Sequence, residues 1–145
     1  MEKNLKEAFE QRRTCYALKP ESSIPDQELE QLLHFAVWNL PSAFNSQSAR
    51  LVLLLGKHHT VFWEIVKATL KKRISAEAFV KTEEKIDTCF ASGYGTVLFF
   101  EEMRTVEELQ QSFPTYAEKF PAFSEHSSAI HQFAVWTLLE SVGLG

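Results

Sequence analysis

Two short stretches hold the side chains best suited to chemistry. At Arg12, Arg13 and Thr14, two guanidiniums stand beside a hydroxyl. Guanidinium forks make bidentate, charge-assisted bonds to phosphate, and a hydroxyl with free backbone N–H groups completes such a cradle. Two arginines at a helix end also oppose the helix dipole, so the triplet alone leaves both readings open. The second stretch, PSAFNSQS from Pro41 to Ser48, puts Ser42, Asn45, Ser46, Gln47 and Ser48 in one joint. A chain reversal needs only one or two residues with turn chemistry. Amide side chains offer both donors and acceptors and can read the edge of a heteroaromatic ring. A polar helix end followed by a turn would use similar residues. Together the two stretches supply a phosphate reader and a ring-edge reader, the minimum for a mononucleotide-like ligand.

The remaining reactive residue types do not assemble. The five histidines (His34, His58, His59, His126 and His131) show no HxxxH spacing, and the adjacent pair His58–His59 diverges on a helix. Surface or core packing is the expected role of each. Ser124, Ser127 and Ser128 lack the GxSxG setting of a hydrolase nucleophile. The SGYG at 92–95 precedes a strand, whereas a phosphate-binding glycine loop follows a strand and opens a helix.

The elements that would position these residues can be read from periodicity. An amphipathic first helix is expected from about Lys3 to Arg12. Leu29, Leu32, Leu33, Ala36, Val37 and Leu40 mark a second, with Pro25, Asp26 and Glu28 at its start and Pro41 as its stop. LVLLL at 51–55 and TVLFF at 96–100 read as strands buried on both faces. A third helix should turn Phe62, Ile65, Val66 and Leu70 inward, and a fourth should run from Ala76 to Phe90. Thr105 and Glu108 stand at capping-box spacing for a short helix. FPTYAEKFPAF, with its aromatics and prolines, reads as a wall or lid. Ser124 is the expected cap of a last helix whose inner face carries Ile130, Phe133, Ala134, Thr137 and Leu138. That helix should end near Ser141 before Gly143.

Composition bounds the rest. A chain of 145 residues with 45% apolar content is one domain with a core large enough to need no disulfide or metal. The net charge of −4 argues against nucleic-acid or anionic-membrane binding. Cys15 and Cys89 form no CxxC pair, and neither a signal core nor a membrane-spanning apolar run occurs, so a cytoplasmic setting is expected.

Five blocks, RRTCYAL, PSAFNSQSARLVLLLG, FVKTEEKI, GYGTVLFFE and FPTYAEKFPAFSEHSSAIHQFAVWTLLESVGLG, resemble the flavin-dependent nitroreductase family. The likeness is to the branch of the yeast fatty-acid-repression nitroreductases, and it extends over residues 1–145. The resemblance implies an α+β fold, a mixed sheet flanked by helices, and a homodimer with FMN at the subunit interface. It assigns Arg12, Arg13 and Thr14, with Tyr16 close by, to the FMN phosphate and ribityl chain. Pro41, Ser42, Ala43 and Asn45, supported by Gln47, would reach the isoalloxazine, commonly from the partner subunit. The implied activity is ping-pong hydride transfer from NAD(P)H to nitroaromatic or quinone-like acceptors, with no catalytic side chain because the cofactor carries the hard step. Family members continue beyond the GLG at 143–145 with a segment that approaches the flavin and adds a strand. The resemblance therefore implies a domain without the family's C-terminal strand and with weakened FMN binding, or alternatively a catalytically silent flavin-fold remnant with a binding or regulatory role.

Overall fold

The computed structural model describes residues 3–145. Asn4 opens α1 (Leu5–Gln11) with a reciprocal capping box to Glu7. An extended connection leads through Pro20 to α2 (Asp26–Asn39), which Pro41 stops after Leu40. A polar loop delivers the chain to β1 (Ala49–Leu55). Gly56, at φ +49°, turns β1 directly into α3 (Gly56–Lys71). The chain continues through α4 (Ala76–Cys89), β2 (Gly95–Glu101), α5 (Met103–Ser112), a 3-10 segment at Pro114–Lys119 and α6 (Phe120–Ser141). No described helix is long and apolar enough to cross a membrane.

The sheet among the described residues is the antiparallel pair β1–β2, with Ala49 opposite Glu101, Leu51 opposite Phe99, Leu53 opposite Val97 and Leu55 opposite Gly95. Because side chains alternate along a strand, Leu51, Leu53, Val97 and Phe99 share one face. That face packs on Leu33 and Ala36 of α2 and on Val135, Leu138 and Leu139 of α6, and this is the core. α3 packs on the strands as well, but Val52 and Phe100 stay exposed, so the strands are not buried on both faces as their composition suggested.

Three other expectations need correction. Thr105 lies inside α5, whose first turn is capped by Glu102 accepting from the Arg104 N–H. Ser124 lies inside α6, whose start carries Pro121 in the first turn. Ile65, Ile130 and Phe133 are exposed rather than inward. On α6 Thr137 and Leu138 do face inward as expected, but the rest of the inner face is largely polar, with Ser124, Ser127 and His131 buried beside Val135. Ser127 and Thr137 donate to the carbonyls of Phe123 and Phe133, and His131 Nδ1 lies 2.8 Å from the Ser127 carbonyl. Intrahelical bonds thus make polar side chains compatible with the interior and hide the apolar stripe. The helix end is as expected: Gly143, at φ +85°, donates to the Glu140 carbonyl and Leu144 to that of Leu139, a Schellman motif.

Two predictions follow from this framework. A Cβ at Gly95 would stand 2.5 Å from Leu55 Cδ2 and 2.9 Å from the Leu54 carbonyl oxygen. Gly95→Val should therefore destabilise the fold by about 1–3 kcal/mol in urea denaturation, since the obstructing backbone cannot turn aside. The Tyr94 hydroxyl donates to Asp26 Oδ1 at 2.5 Å, tying the lead into β2 to the start of α2. That bond, helped by burial and the Asp26 charge, raises the Tyr94 pKa above its ordinary value. The stabilisation is fully present below the ordinary tyrosine range and is lost as pH rises through the elevated value. Absorbance titration should show one tyrosine ionising late, and Tyr94→Phe should remove that phase.

Candidate functional site

The joint between α2 and β1 has unusual backbone geometry. Phe44, Asn45 and Gln47 all occupy the left-handed region, at φ 57°, 51° and 50°, with no glycine among them. Such a conformation costs a residue with a Cβ on the order of 1 kcal/mol, so it persists only where surroundings enforce it. Ser42 supplies two of the constraints, its carbonyl accepting from the Asn45 N–H and its hydroxyl from the Gln47 N–H, each at 3.0 Å. Arg50 Nη1 donates to the carbonyls of Gln47 and Ala49, each at 2.9 Å.

Phe44 is clasped by aromatics from the segment that read as a wall. Its ring centroid lies 5.1 Å from those of Phe113 and Phe120, 5.6 Å from that of Tyr116 and 6.2 Å from that of Phe123. The FPTYAEKFPAF stretch therefore closes over the loop itself. At the far end of the loop, the fully buried Ser48 donates to Glu101 Oε2 at 2.5 Å, across the strand pair.

With the backbone fixed in this way, Ser42, Asn45 and Gln47 line a cavity of about 390 Å³ together with Trp38, Arg50 and His131. Asn45 and Gln47 lie 3.4 Å apart through Nε2 and Oδ1, so each retains donors or acceptors for another partner. His131 is buried with Nδ1 against the Ser127 carbonyl. Since a carbonyl only accepts, Nδ1 carries a proton. Pro41 and Ala43 shape the loop but do not line the cavity. Sequence reasoning singled out Ser42, Asn45 and Gln47 but missed Trp38, Arg50, His131 and Glu101. The available signal was Ser48, a hydroxyl at the mouth of an apolar strand.

The Arg12 cluster lies elsewhere. Arg12 ends α1, and its guanidinium carbon sits 4.1 Å from the Trp136 ring centroid and 5.3 Å from that of Phe133. Its Nε is buried without a partner among the described residues. Arg13, Thr14 and Tyr16 are exposed, with the Lys85 ammonium 5.6 Å from the Tyr16 ring centroid. None of these four lines the Asn45 cavity. One chain therefore presents the cation cluster and the amide loop as separate surfaces. Of the remaining histidines, His59 is buried between Thr96 Oγ1 at 2.9 Å and the Ala91 carbonyl at 3.1 Å, a packing role.

Comparison with known proteins gives a consistent picture. The pattern described as "Nitroreductase family" matches residues 9–145. The nitroreductase FRM2 of Saccharomyces cerevisiae is 35% identical over 144 residues, covering 98% of this chain and 71% of the relative. Among solved structures, the nitroreductase CinD from Lactococcus lactis in complex with chloramphenicol superposes with a TM-score of 0.84 at 35% identity, over 98% of this chain and 71% of that one. A protein from Exiguobacterium sibiricum solved in complex with FMN shares the fold alone, at a TM-score of 0.60 and 17% identity, over 97% of this chain and 71% of that one. The chain, an α+β domain with an amide-rich left-handed loop ahead of its first strand, belongs to the nitroreductase family.

Proposed function

We propose that this domain is an FMN-dependent NAD(P)H oxidoreductase acting on nitroaromatic or quinone-like acceptors. The observation that carries the reading is the convergence of Ser42, Asn45 and Gln47 on one cavity by a loop held in left-handed geometry. Retaining strained backbone in order to aim side chains is the mark of a ligand site. The residues present fit FMN. Asn45 and Gln47 offer the mixed donors and acceptors that a flavin ring edge needs. Arg12 offers a cation on an aromatic platform, with a buried Nε unpartnered among the described residues. Arg13, Thr14 and Tyr16 stand beside it on the exposed connection, available to the phosphate and ribityl chain.

Because the two clusters stand apart in one chain, the reading includes a homodimer in which the Arg12 cluster of one subunit faces the Asn45 loop of the other. The exposed apolar residues suit such an interface. Phe35, Val37 and Trp38 are exposed on α2, Leu5 and Phe9 on α1, and Ile130 and Phe133 on α6. Patches of this kind on a soluble domain mark association surfaces, and a two-fold pairing would bury each patch twice. When bound, FMN supplies the hydride chemistry between NAD(P)H and the acceptor in a ping-pong sequence. The chain's own residues bind and orient the ring, and no protein acid or nucleophile is required. Among the relatives, CinD has been solved with chloramphenicol, itself a nitroaromatic, and that supports the acceptor class.

The reading is tested by titrating FMN into the purified protein, following flavin fluorescence, and then measuring NAD(P)H oxidation with a nitroaromatic acceptor. Saturable binding with acceptor-dependent turnover is expected, and absence of flavin binding would overturn the reading. Arg12→Ala removes charge-assisted bonds of about 1.5–3 kcal/mol, so it should weaken FMN at least about tenfold. Asn45→Gly removes the amide while relaxing the left-handed backbone. It should weaken FMN about five- to tenfold while the apoprotein's thermal midpoint holds or rises, an outcome that a merely structural Asn45 would not give.

A further inference from the structure

Glu101 joins the elements around the loop but touches neither cluster of ligand readers. It is the last residue of β2, directly across the ladder from Ala49. Its Oε2 accepts two hydroxyls, Ser48 Oγ at 2.5 Å from the loop and Ser124 Oγ at 3.1 Å from α6. Its Oε1 is buried with no partner among the described residues. A buried carboxylate oxygen left without a donor is costly, and a structural strut between two serines could be built from neutral groups. The two serine bonds give Glu101 a role at this place that a neutral acceptor of the same shape could share.

The hydroxyl bookkeeping indicates what that is. Ser48 has one proton, and it goes to Glu101 Oε2. Ser48 Oγ is therefore left to accept from Ser46 Oγ, 3.3 Å away. The result is a directed chain, Ser46 to Ser48 to Glu101, whose polarity the carboxylate sets. Its two serines flank Gln47, the last left-handed position of the loop. The Glu102 N–H donates to the Ser48 carbonyl at 2.8 Å, so backbone and side chain of the same two-residue pair clamp Ser48 together.

We infer that Glu101 is a positioning residue for the cofactor site: through Ser48 and Ser46 its carboxylate holds the Ser42–Gln47 loop in the geometry that presents Asn45 and Gln47 to the ligand. The inference rests on the flavin reading above and deepens it. To the bonds that Ser42 and Arg50 make to the loop it adds two clamps from other elements, the aromatic clasp on Phe44 and the carboxylate on Ser48, of which the second stands next to Gln47.

The test uses the whole protein with Glu101→Leu, Glu101→Gln and Ser48→Ala. Two readouts are taken on each: FMN affinity by fluorescence titration, and amide hydrogen exchange of the apoprotein at Gln47, with Leu40 at the end of α2 as the control. Glu101→Leu and Ser48→Ala should each raise the FMN Kd by about tenfold or more and speed exchange at Gln47, while Leu40 is unchanged. Glu101→Gln keeps an oxygen that accepts both hydroxyls and should restore affinity to within about threefold of wild type. If Glu101→Leu does not fold, Ser48→Ala carries the same prediction from the loop side. Wild-type FMN affinity and Gln47 exchange in Ser48→Ala would overturn the inference and leave the flavin reading intact. Loosening of Gln47 and Leu40 together would overturn it in favour of a purely structural role. Failure of the wild-type protein itself to bind FMN would remove both the flavin reading and the inference.

Discussion

The register of the β1–β2 pair is the constraint on which the rest of the molecule depends. Setting Ala49 against Glu101 sends Leu51, Leu53, Val97 and Phe99 to the α2–α6 face and brings Ser48 within reach of the Glu101 carboxylate. A slip of one residue would turn the apolar set outward and break that link in the same step. Core and site are therefore specified by one pairing. Gly95 fixes the other end of the ladder, because the space where its side chain would stand is already taken by Leu55 and the Leu54 carbonyl.

The α2–β1 loop draws on that rigidity. Three left-handed residues with side chains store a few kcal/mol between them at about 1 kcal/mol each, which a free segment would release by relaxing. Here relaxation would pull Phe44 out of an aromatic clasp and Ser48 off a carboxylate. The clasp comes from the 3-10 segment and the first turns of α6, and the carboxylate comes from β2. The loop is thus held by elements distant in sequence as well as by the bonds that Ser42 makes within it.

That division explains what could be read from the sequence. The helices with one apolar stripe, α1, α2 and α4, were legible to within a few residues, as were both strands, because periodicity and prolines bound them. The inner face of α6 was legible only in part, at Thr137 and Leu138, since buried Ser124, Ser127 and His131 satisfy their polar groups within the helix or on Glu101 and so break the apolar pattern. Ser124 is no cap for a related reason, since its hydroxyl finds a partner in Glu101 from an interior helical position, whereas Thr105 is displaced because Glu102 caps α5 instead. In the site, Ser42, Asn45 and Gln47 could be named because residue type alone advertises them. Trp38 and His131 could not be named, because only the folding of α2 and α6 beside the loop brings them to the cavity, and Arg50 reads simply as an exposed position of β1.

A loop built from glycine would hold this backbone shape at far lower conformational cost, and the chain does not use one. The reason is that a glycine has nothing to present. At Asn45 and Gln47 the residue that bears the strain is also the residue whose amide faces the cavity, so strain and recognition cannot be assigned to separate positions. Phe44 differs, since its side chain turns away into the clasp and holds its neighbour's geometry in place. A run of anchor, amide, bridge and amide, left-handed at every position but Ser46 and closed by a buried serine, fixes the two amides before any ligand arrives. On the flavin reading that rigidity would be the protein's main contribution, because a ring held at a fixed edge reacts only with what can stack against its open face.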